Sequence, residues 1–129
     1  MTEKEISPVH QSTFEALRKV SQQGQDFWSA RELSRVLGYS EFRHFLSVVN
    51  KAKEACENSG QKITDHFEDI LEMVPIGSGA QREIREVRLS RYACYLIVQN
   101  ADPSKPIVAL GQTYFAVQTR KQELTEQAE

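Results

Sequence analysis

The stretch LSRYACYLIVQNADPSKPIVALGQTYFAVQTR, Leu89–Arg120, decides the fold that the sequence predicts. It is typical of two helices joined by a turn that Pro103 and Pro106 bracket, because proline disrupts a helix interior but fits the first turn of a helix. Apolar residues cover almost every side of the segment 92–98, and a helix that is apolar all round belongs in a core. We therefore expect the other segments to pack on this helical hairpin.

Serine caps are predicted for both helices of the hairpin. Ser90 and Ser104 each stand just before a helix, where a hydroxyl accepts a backbone N–H of the first turn. The second helix has no stop signal, so either a further segment of a longer protein or a partner is expected to continue from its end. Its buried face is predicted from apolar residues at three- and four-residue steps, namely Ile107, Leu110, Tyr114 and Val117.

Length and composition indicate one soluble globular domain. The chain has 129 residues, of which 40% are hydrophobic and 26% are charged, and these fractions are ordinary. The first 11 residues are expected to be loose, and residues 12–129 are expected to form a single domain. No apolar stretch approaches the ~20 residues of a membrane span. The N-terminus has no signal-peptide run, so the expected location is the cytoplasm, away from membranes.

The first predicted helix begins at Ser12, which forms a capping box with Glu15, and ends at Gly24. An extended piece, Gln25–Trp28, is then expected to deliver two aromatic rings to the core. The apolar stripe predicted for the helix consists of Phe14, Leu17 and Val20.

A helix-turn-helix outline follows. Ser29 is predicted to cap a helix for which Gly38 supplies the left-handed C-terminal position. Ser40 is predicted to cap a second helix, which runs to about Glu57. Many small helical hairpins share this outline, so plain core packing is the alternative explanation for it.

The middle of the chain predicts a β-hairpin. Its strands are expected at Leu71–Ile76 and Glu83–Leu89, joined by a glycine-rich loop at residues 77–79. The segment 65–76 by itself remains ambiguous between strand and helix. In the order helix, helix, hairpin, the hairpin takes the place of the wing in a winged helix-turn-helix. The predicted fold class is therefore α+β and mostly helical, with four to five helices and a small antiparallel sheet.

The distribution of charge bears on function more than the net charge does. The formal net charge is −2, which argues against a strongly basic nucleic-acid binder. An acidic stretch at residues 61–75 directly precedes a basic one at residues 80–91. The arginines of the basic stretch either form a basic face or lie in a solvated rim, where they form ion pairs with Glu83 and Glu86. These arginines are Arg82, Arg85, Arg88 and Arg91.

No arrangement of residues predicts an enzyme. The histidines lie in separate segments without neighbours at metal-ligand spacing, and the sequence has no phosphate loop and no nucleophile motif. No cofactor and no metal are expected. Cys94 lies inside the apolar helix and is expected to be a buried thiol, whereas Cys56, on a charged helix, is a candidate for exposure.

Long phrases of the sequence resemble the DNA-damage-inducible protein D family of bacteria. More distantly, the pattern W-x-A-x-x-L-x-x-x-L-G-Y from Trp28 to Tyr39, followed by a hairpin and a helical pair, resembles the N-terminal BRO-type domain of phage antirepressors and large DNA viruses. The phrases that carry the first resemblance are Trp28–Phe45, Lys51–Gly60, Asp65–Glu83 and Leu89–Leu124.

This resemblance implies an intracellular protein of the SOS response, which acts on DNA or on the RecA recombination machinery and has no established catalytic activity. It also implies an α+β domain associated with DNA binding. Members of the family are usually longer, with a charged helical C-terminal half, so an activity that needs that half is not expected of this chain alone.

Two functions therefore remain open. The first is a nucleic-acid-binding regulatory domain that uses basic side chains of the helix pair and the loop to contact phosphates or a groove. The second is a protein-interaction module that modulates recombinase filaments of the RecA type or self-associates as a homodimer. The residues predicted to contact nucleic acid are Arg31, Arg35, Arg43, His44, Lys51, Arg82 and Arg85.

Overall fold

The computed structural model describes residues 8–128, and side chains from Thr13 to Gln127. Within that range the chain is α+β as predicted, with five α-helices and a four-stranded antiparallel sheet. A 3-10 turn at Ile63–Asp65 precedes the third strand. The elements are α1 (Pro8–Leu17), β1 (Lys19–Val20), β2 (Asp26–Ser29), α2 (Ala30–Val36), α3 (Phe42–Asn58), β3 (Phe67–Pro75), β4 (Gln81–Leu89), α4 (Arg91–Gln99) and α5 (Pro106–Ala128).

The sheet has the strand order β1-β2-β4-β3. Strand β2 pairs with β4 only through Trp28 and Ser29, whereas β3 and β4 pair along their whole length. The far half of the β3–β4 hairpin therefore has no further strand beside it. The pairing of β3 with β4 confirms the predicted hairpin, although its strands are longer than expected. The segment 65–76, which the sequence left ambiguous, is strand from Phe67 to Pro75.

The prediction that α4 lies inside the core is confirmed. Ser90 Oγ accepts the Ala93 N–H over 3.0 Å, as expected of an N-cap. Burial raises the pKa of the Cys94 thiol well above its usual range. The fully buried residues of this helix are Ala93, Cys94, Ile97 and Val98.

A cluster of aromatic rings joins α1, β2 and α5. The Trp28 indole N–H donates to the Phe14 carbonyl oxygen over 3.0 Å. The rings of Phe14 and Trp28 both meet the Phe115 ring edge-on, at centroid distances of 5.5 and 5.3 Å. Edge-to-face pairs of this kind stabilise a core beyond their buried area, so the extended piece before α2 delivers Trp28 to the core as predicted.

The predicted start and end of the first helix are wrong. Of the stretch expected to be loose, residues 1–7 lie outside the described residues, and α1 begins at Pro8. Ser12 therefore lies inside the helix and does not cap it. The helix ends at Leu17, and Gly24 instead occupies the β1–β2 turn with a φ of +81°. Val20 belongs to β1 and is exposed.

Two other predicted serine caps are also wrong. Helix α3 begins after Glu41, one residue past Ser40, because the chain is still extended at Glu41 and its side chain makes no capping hydrogen bond. Ser104 does not cap α5, because its N–H and O–H both donate to Asp102 Oδ1, over 3.0 and 2.7 Å. Helix α5 starts at Pro106, two residues after Ser104.

The buried face of α5 is rotated from the predicted one. Val117 is 42% exposed. Gly111 faces the core instead, where a Cβ would lie 3.0 Å from Phe14 Cζ and 3.4 Å from Val98 Cγ1. A glycine adds nothing to an apolar pattern, so the pattern did not reveal the close approach. The residues of α5 that are buried are Val108, Gly111, Tyr114 and Phe115.

The suggested exposure of Cys56 is wrong. Its side chain is fully buried on the apolar side of α3, together with Val49 and Ala52. Burial, with Asp65 and Glu57 nearby, raises the pKa of its thiol. Both cysteines are free, buried thiols.

Candidate nucleic-acid interface

The short helix α2 has the two end signals that its sequence predicts. Ser29 Oγ accepts the Glu32 N–H over 3.2 Å. Gly38 follows the helix with a φ of +85°, and the Tyr39 N–H returns to the Ser34 carbonyl over 3.0 Å. This is a Schellman motif, which satisfies the last carbonyls of the helix and fixes where the chain leaves it.

Arg31 joins three elements of the candidate interface. Its Nε donates to the Arg85 carbonyl oxygen over 2.8 Å, and its guanidinium carbon lies 4.2 Å from the centroid of the Phe42 ring. The start of α2, the start of α3 and the middle of β4 are therefore held together. The Nε and the guanidinium face of Arg31 are engaged by these contacts, which hold the three elements in place.

Glu86 is a buried carboxylate that holds the start of α2 against β4. It is 5% exposed and accepts the Ser29 O–H over 2.6 Å, the Arg31 N–H over 3.2 Å and the Val87 N–H over 2.8 Å. The prediction that Glu86 belongs to a solvated rim of ion pairs is therefore wrong. A carboxylate this deep is tolerated because several donors satisfy it.

Two arginines of the basic stretch take part in packing. Arg88 lies 3.9 Å from a Glu68 carboxylate oxygen and 5.0 Å from the centroid of the Phe27 ring. Arg91 pairs with Asp26 and stands 5.9 Å from the centroid of the Trp28 ring. Their partners differ from the glutamates that the solvated-rim explanation predicted.

Arg82 and Arg85 lie on opposite faces of the hairpin. Arg85 stands opposite Leu71 in the strand register and Arg82 stands opposite Val74. Since successive side chains alternate between the faces of a strand, residues three apart point to opposite sides. Both arginines are exposed. A partner on one face of the hairpin meets one of them directly and reaches the other only by wrapping around the strand.

The exposed side of α3 holds the other predicted contact residues. Arg43, His44 and Lys51 are all exposed. The same side carries Ser47 and Asn50, which the prediction left out, although their spacing from His44 and Lys51 was a signal that could have found them. Ser47 Oγ donates to the His44 carbonyl over 2.8 Å, and its lone pairs remain as acceptors.

Local ion pairs reduce the charge at the start of α3. Arg43 Nε lies 3.0 Å and His44 Nδ1 lies 3.9 Å from the carboxylate oxygens of Glu41. Exposed pairs of this kind stabilise little, so a phosphate can replace the glutamate as partner. Five of the seven predicted contact residues form no side-chain ion pair with any residue of the range 13–127, namely Arg31, Arg35, Lys51, Arg82 and Arg85.

A separate open groove of about 750 Å³ lies between the β1–β2 turn and the start of β3. None of the seven predicted contact residues lines it. Its walls carry Asp26, Asp65 and Glu68 beside three glutamines, which does not suit a phosphate. His66 lines the groove, and its Nδ1 lies 2.7 Å from Ser90 Oγ. Burial lowers the pKa of His66, although Asp65 opposes the shift.

Metal and membrane contacts were also considered. Among the side chains that the structure describes, no group of three or more His, Cys, Asp and Glu is placed to hold a metal ion. Within residues 8–128, every helix is too short or too polar to cross a membrane.

Comparison with known proteins gives two matches. Residues 16–116 match the model of the BRO family, N-terminal domain. The chain is similar to the DNA damage-inducible protein D of Escherichia coli (strain K12), with 59% identity over 117 residues, which are 91% of this chain and 43% of that relative. The chain thus spans less than half the length of this relative. No solved structure matches. Neither match is to a known enzyme family.

Proposed function

Since this chain belongs to the BRO family through its N-terminal domain, as its sequence predicted, we propose that it is a nucleic-acid-binding regulatory domain. The relative that it resembles is named as DNA damage-inducible, and the proposed setting is a response to DNA damage. The proposed binding element is the exposed side of α3, supported by the cations of α2 and of the hairpin.

The observation that carries this proposal is the composition of that side of α3. The helix buries Phe45, Val49 and Ala52 among its apolar residues, so its opposite side is fixed toward solvent. That side offers a cation in Lys51 and an amide in Asn50. An exposed helix of this kind fits the major groove of DNA.

The proposed contacts divide into two classes. Lys51 and Arg43 would contact phosphates, because a point charge or a guanidinium neutralises the backbone without reading sequence. Asn50 and Ser47 would contact base edges, because an amide pairs with adenine and a hydroxyl accepts or donates at either base. Arg35, on α2, would contact a phosphate beside the groove.

A titration of labelled DNA tests the proposal. Fluorescence anisotropy is measured with a duplex and with a single strand of the same sequence, at low and at high salt. We expect binding that weakens steeply with salt, and a loss of about tenfold in affinity for Lys51→Ala combined with Arg43→Ala. Lys121→Ala is the matched control, since Lys121 is an exposed lysine on α5.

Two outcomes would reject nucleic-acid binding. One is the absence of binding to either DNA at low salt. The other is a loss of affinity in Lys121→Ala equal to that of the α3 variant, because binding would then follow overall charge and not this helix.

The second candidate is a protein-interaction module, such as one that docks on recombinase filaments of the RecA type. The observation in its favour is the apolar side chains that the hairpin leaves in solvent: Leu71 and Met73, two residues apart on one face of β3, are 63% and 56% exposed, and Ile76 is 58% exposed. Exposed apolar side chains close together indicate interaction sites. Recombinase activity on single-stranded DNA, with and without this chain, tests the candidate. An unchanged rate at excess chain would reject it.

A further inference from the structure

Strand β3 is the free edge of the sheet. It pairs with β4 on one side, and no other strand among the described residues pairs with it on the other. Most of its length is exposed. Edge strands are usually protected by charged side chains, especially lysines, by bulges or by prolines. Strand β3 pairs with β4 in continuous register and contains no lysine, and its charges are the three acids Glu68, Asp69 and Glu72. Its proline, Pro75, stands at its last position.

The backbone hydrogen bonds identify which residues of β3 face the open side. The Ser90 N–H donates to the His66 carbonyl over 2.9 Å, and the Ile76 N–H donates to the Ala80 carbonyl over 3.0 Å. These bonds mark the even-numbered residues as those that bond to β4, since bonding direction alternates along a strand. The N–H and C=O groups of Asp69, Leu71 and Met73 therefore point away from the sheet.

We propose that β3 pairs with β3 of a second copy of this chain, antiparallel, with Leu71 opposite Leu71. This would join two sheets into one continuous sheet through a two-fold axis. The outward groups of Leu71, Asp69 and Met73 would form about six backbone hydrogen bonds across the axis. This inference rests on the protein-interaction candidate and is independent of nucleic-acid binding.

Charge disfavours the two registers next to this one. A two-fold axis places one residue of β3 opposite the same residue of the second copy. The two registers next to the proposed one have Ile70 or Glu72 at this position. Centring on Glu72 opposes two Glu72 carboxylates, and centring on Ile70 opposes Glu68 with Glu72. Like charges directly opposite destabilise a strand pair. With Leu71 at the centre, each acid of β3 faces an apolar residue: Glu68 opposes Val74, Asp69 opposes Met73 and Glu72 opposes Ile70.

The side chains at the centre of the proposed pair are the ones left exposed in the single chain. Leu71 would contact its own copy and, diagonally, Met73 of the second copy. Leu71 and Met73 are more than half exposed, so the pairing would remove apolar surface from water. Arg85, opposite Leu71 within each sheet, would flank this apolar centre without facing another arginine.

Cysteine crosslinking of the whole chain tests the register. The Cα atoms of two opposed Leu71 residues would lie about 5.5 Å apart, within the range of about 4.4–6.8 Å that a disulfide spans. We expect Leu71→Cys to give a disulfide-linked dimer under mild oxidation. Asp69→Cys is the matched control, because its two copies would lie about 13 Å apart. The native Cys56 and Cys94 are fully buried.

Sedimentation of the protein without DNA tests the association itself. We expect the mass of two chains at high protein concentration, and the mass of one chain for Met73→Glu, which places an acid opposite Asp69 of the second copy, and for Leu71→Pro. The N–H that Leu71→Pro removes points away from β4, so the hairpin should stay folded, which circular dichroism checks. Leu124→Glu, an equivalent change at an exposed leucine of α5, should still associate.

Three results would overturn the edge pairing. They are a single-chain mass at every concentration, equal crosslinking of Asp69→Cys and Leu71→Cys, and normal association of both β3 variants. DNA titration and the recombinase assay are separate measurements, so a failure here is distinguishable from a failure of either proposed function.

Discussion

Ser29 Oγ donates a hydrogen bond of 2.6 Å to Glu86 Oε2 and accepts the N–H of Glu32 at the start of α2. One hydroxyl thus caps a helix and satisfies a buried carboxylate that is 57 residues away along the chain. The join between β2 and α2 is thereby fixed to the middle of β4, and with it the position of α2 beside the hairpin.

Replacing Glu86 should destabilise the fold. Glu86→Ala leaves the Ser29 hydroxyl and the Arg31 N–H buried without their acceptor, so we expect the free energy of unfolding to fall by about 2–4 kcal/mol. Glu86→Gln keeps one acceptor oxygen and should cost about 1–2 kcal/mol. Urea unfolding measures both. Glu83→Gln, an exposed change on the same strand, should stay within about 0.5 kcal/mol of the unmodified chain; an equal loss there would contradict the role of burial.

Arg31 should matter for stability and Arg35 for binding. Arg31→Ala removes the bond to the Arg85 carbonyl and the contact with the Phe42 ring, and should lower the free energy of unfolding by about 1–2 kcal/mol. Arg35→Ala should leave thermal unfolding unchanged and weaken DNA binding. Melting curves and anisotropy titrations of the two variants check this division. The assignment is wrong if Arg35→Ala unfolds as early as Arg31→Ala.

Gly111 should tolerate alanine only when Phe14 is smaller. A Cβ at Gly111 lies 3.0 Å from Phe14 Cζ, and overpacking of about 1–3 kcal/mol should exceed the gain of about 1 kcal/mol from better helix propensity. We expect Gly111→Ala to lower the melting temperature of the native chain. In a Phe14→Leu background the same change should be neutral or stabilising. Equal effects in both backgrounds would show that the two side chains do not meet.

The pKa of His66 should make stability depend on pH. Burial lowers this pKa in the folded chain, so the unfolded chain takes up the proton first as pH falls. The contribution of neutral His66 to the free energy of unfolding is fully present above about 6.5, the ordinary pKa of histidine. It is lost as pH falls from there toward the lowered pKa of the folded chain. Unfolding from about pH 8 to about pH 5 measures it. His66→Gln should flatten this part of the curve, and an unchanged curve in that variant would contradict the assignment.

The phosphate contact proposed for Lys51 and the base contact proposed for Asn50 should respond differently to substitution. Lys51→Ala should weaken binding to every DNA sequence equally and reduce the salt slope by about 1, as expected for a phosphate contact. Asn50→Ala should reduce the preference between sequences by about 1–3 kcal/mol and leave the salt slope unchanged. Titrations with two sequences at several salt concentrations separate the two. Identical effects of both variants would contradict a base contact by Asn50.

Much of the fold was predictable because its signals are local. Ser29 and Ser90 cap their helices as expected, and Gly38 takes the left-handed position after α2. The same kind of signal failed at Ser104, because a neighbouring carboxylate, Asp102, competed for its hydroxyl. It failed at Ser12 because the residues before it, from Pro8 onward, are already helical. A cap depends on what else the nearby backbone can bond to, and a pattern of residue types does not contain that.

The candidate interface was only partly predictable. The sequence indicated which cations were available on the helix pair and the hairpin, since charge and helical spacing are visible in it. It did not indicate that Arg31 is occupied by Arg85 and Phe42, nor that Arg82 and Arg85 point to opposite faces. Those facts depend on strand register and on contacts between elements that are distant along the chain.

The sequence by itself determined most of the elements, the central position of α4 and the family, because periodicity, end signals and long matching phrases are properties of the chain read in order. Only the tertiary structure decided that Glu86 is buried, that Gly111 and not Val117 faces the core, and that β3 is left as an open edge. The physical reason is that burial, close approach and strand pairing are set by the neighbour across space, and that neighbour is chosen when all the elements pack together.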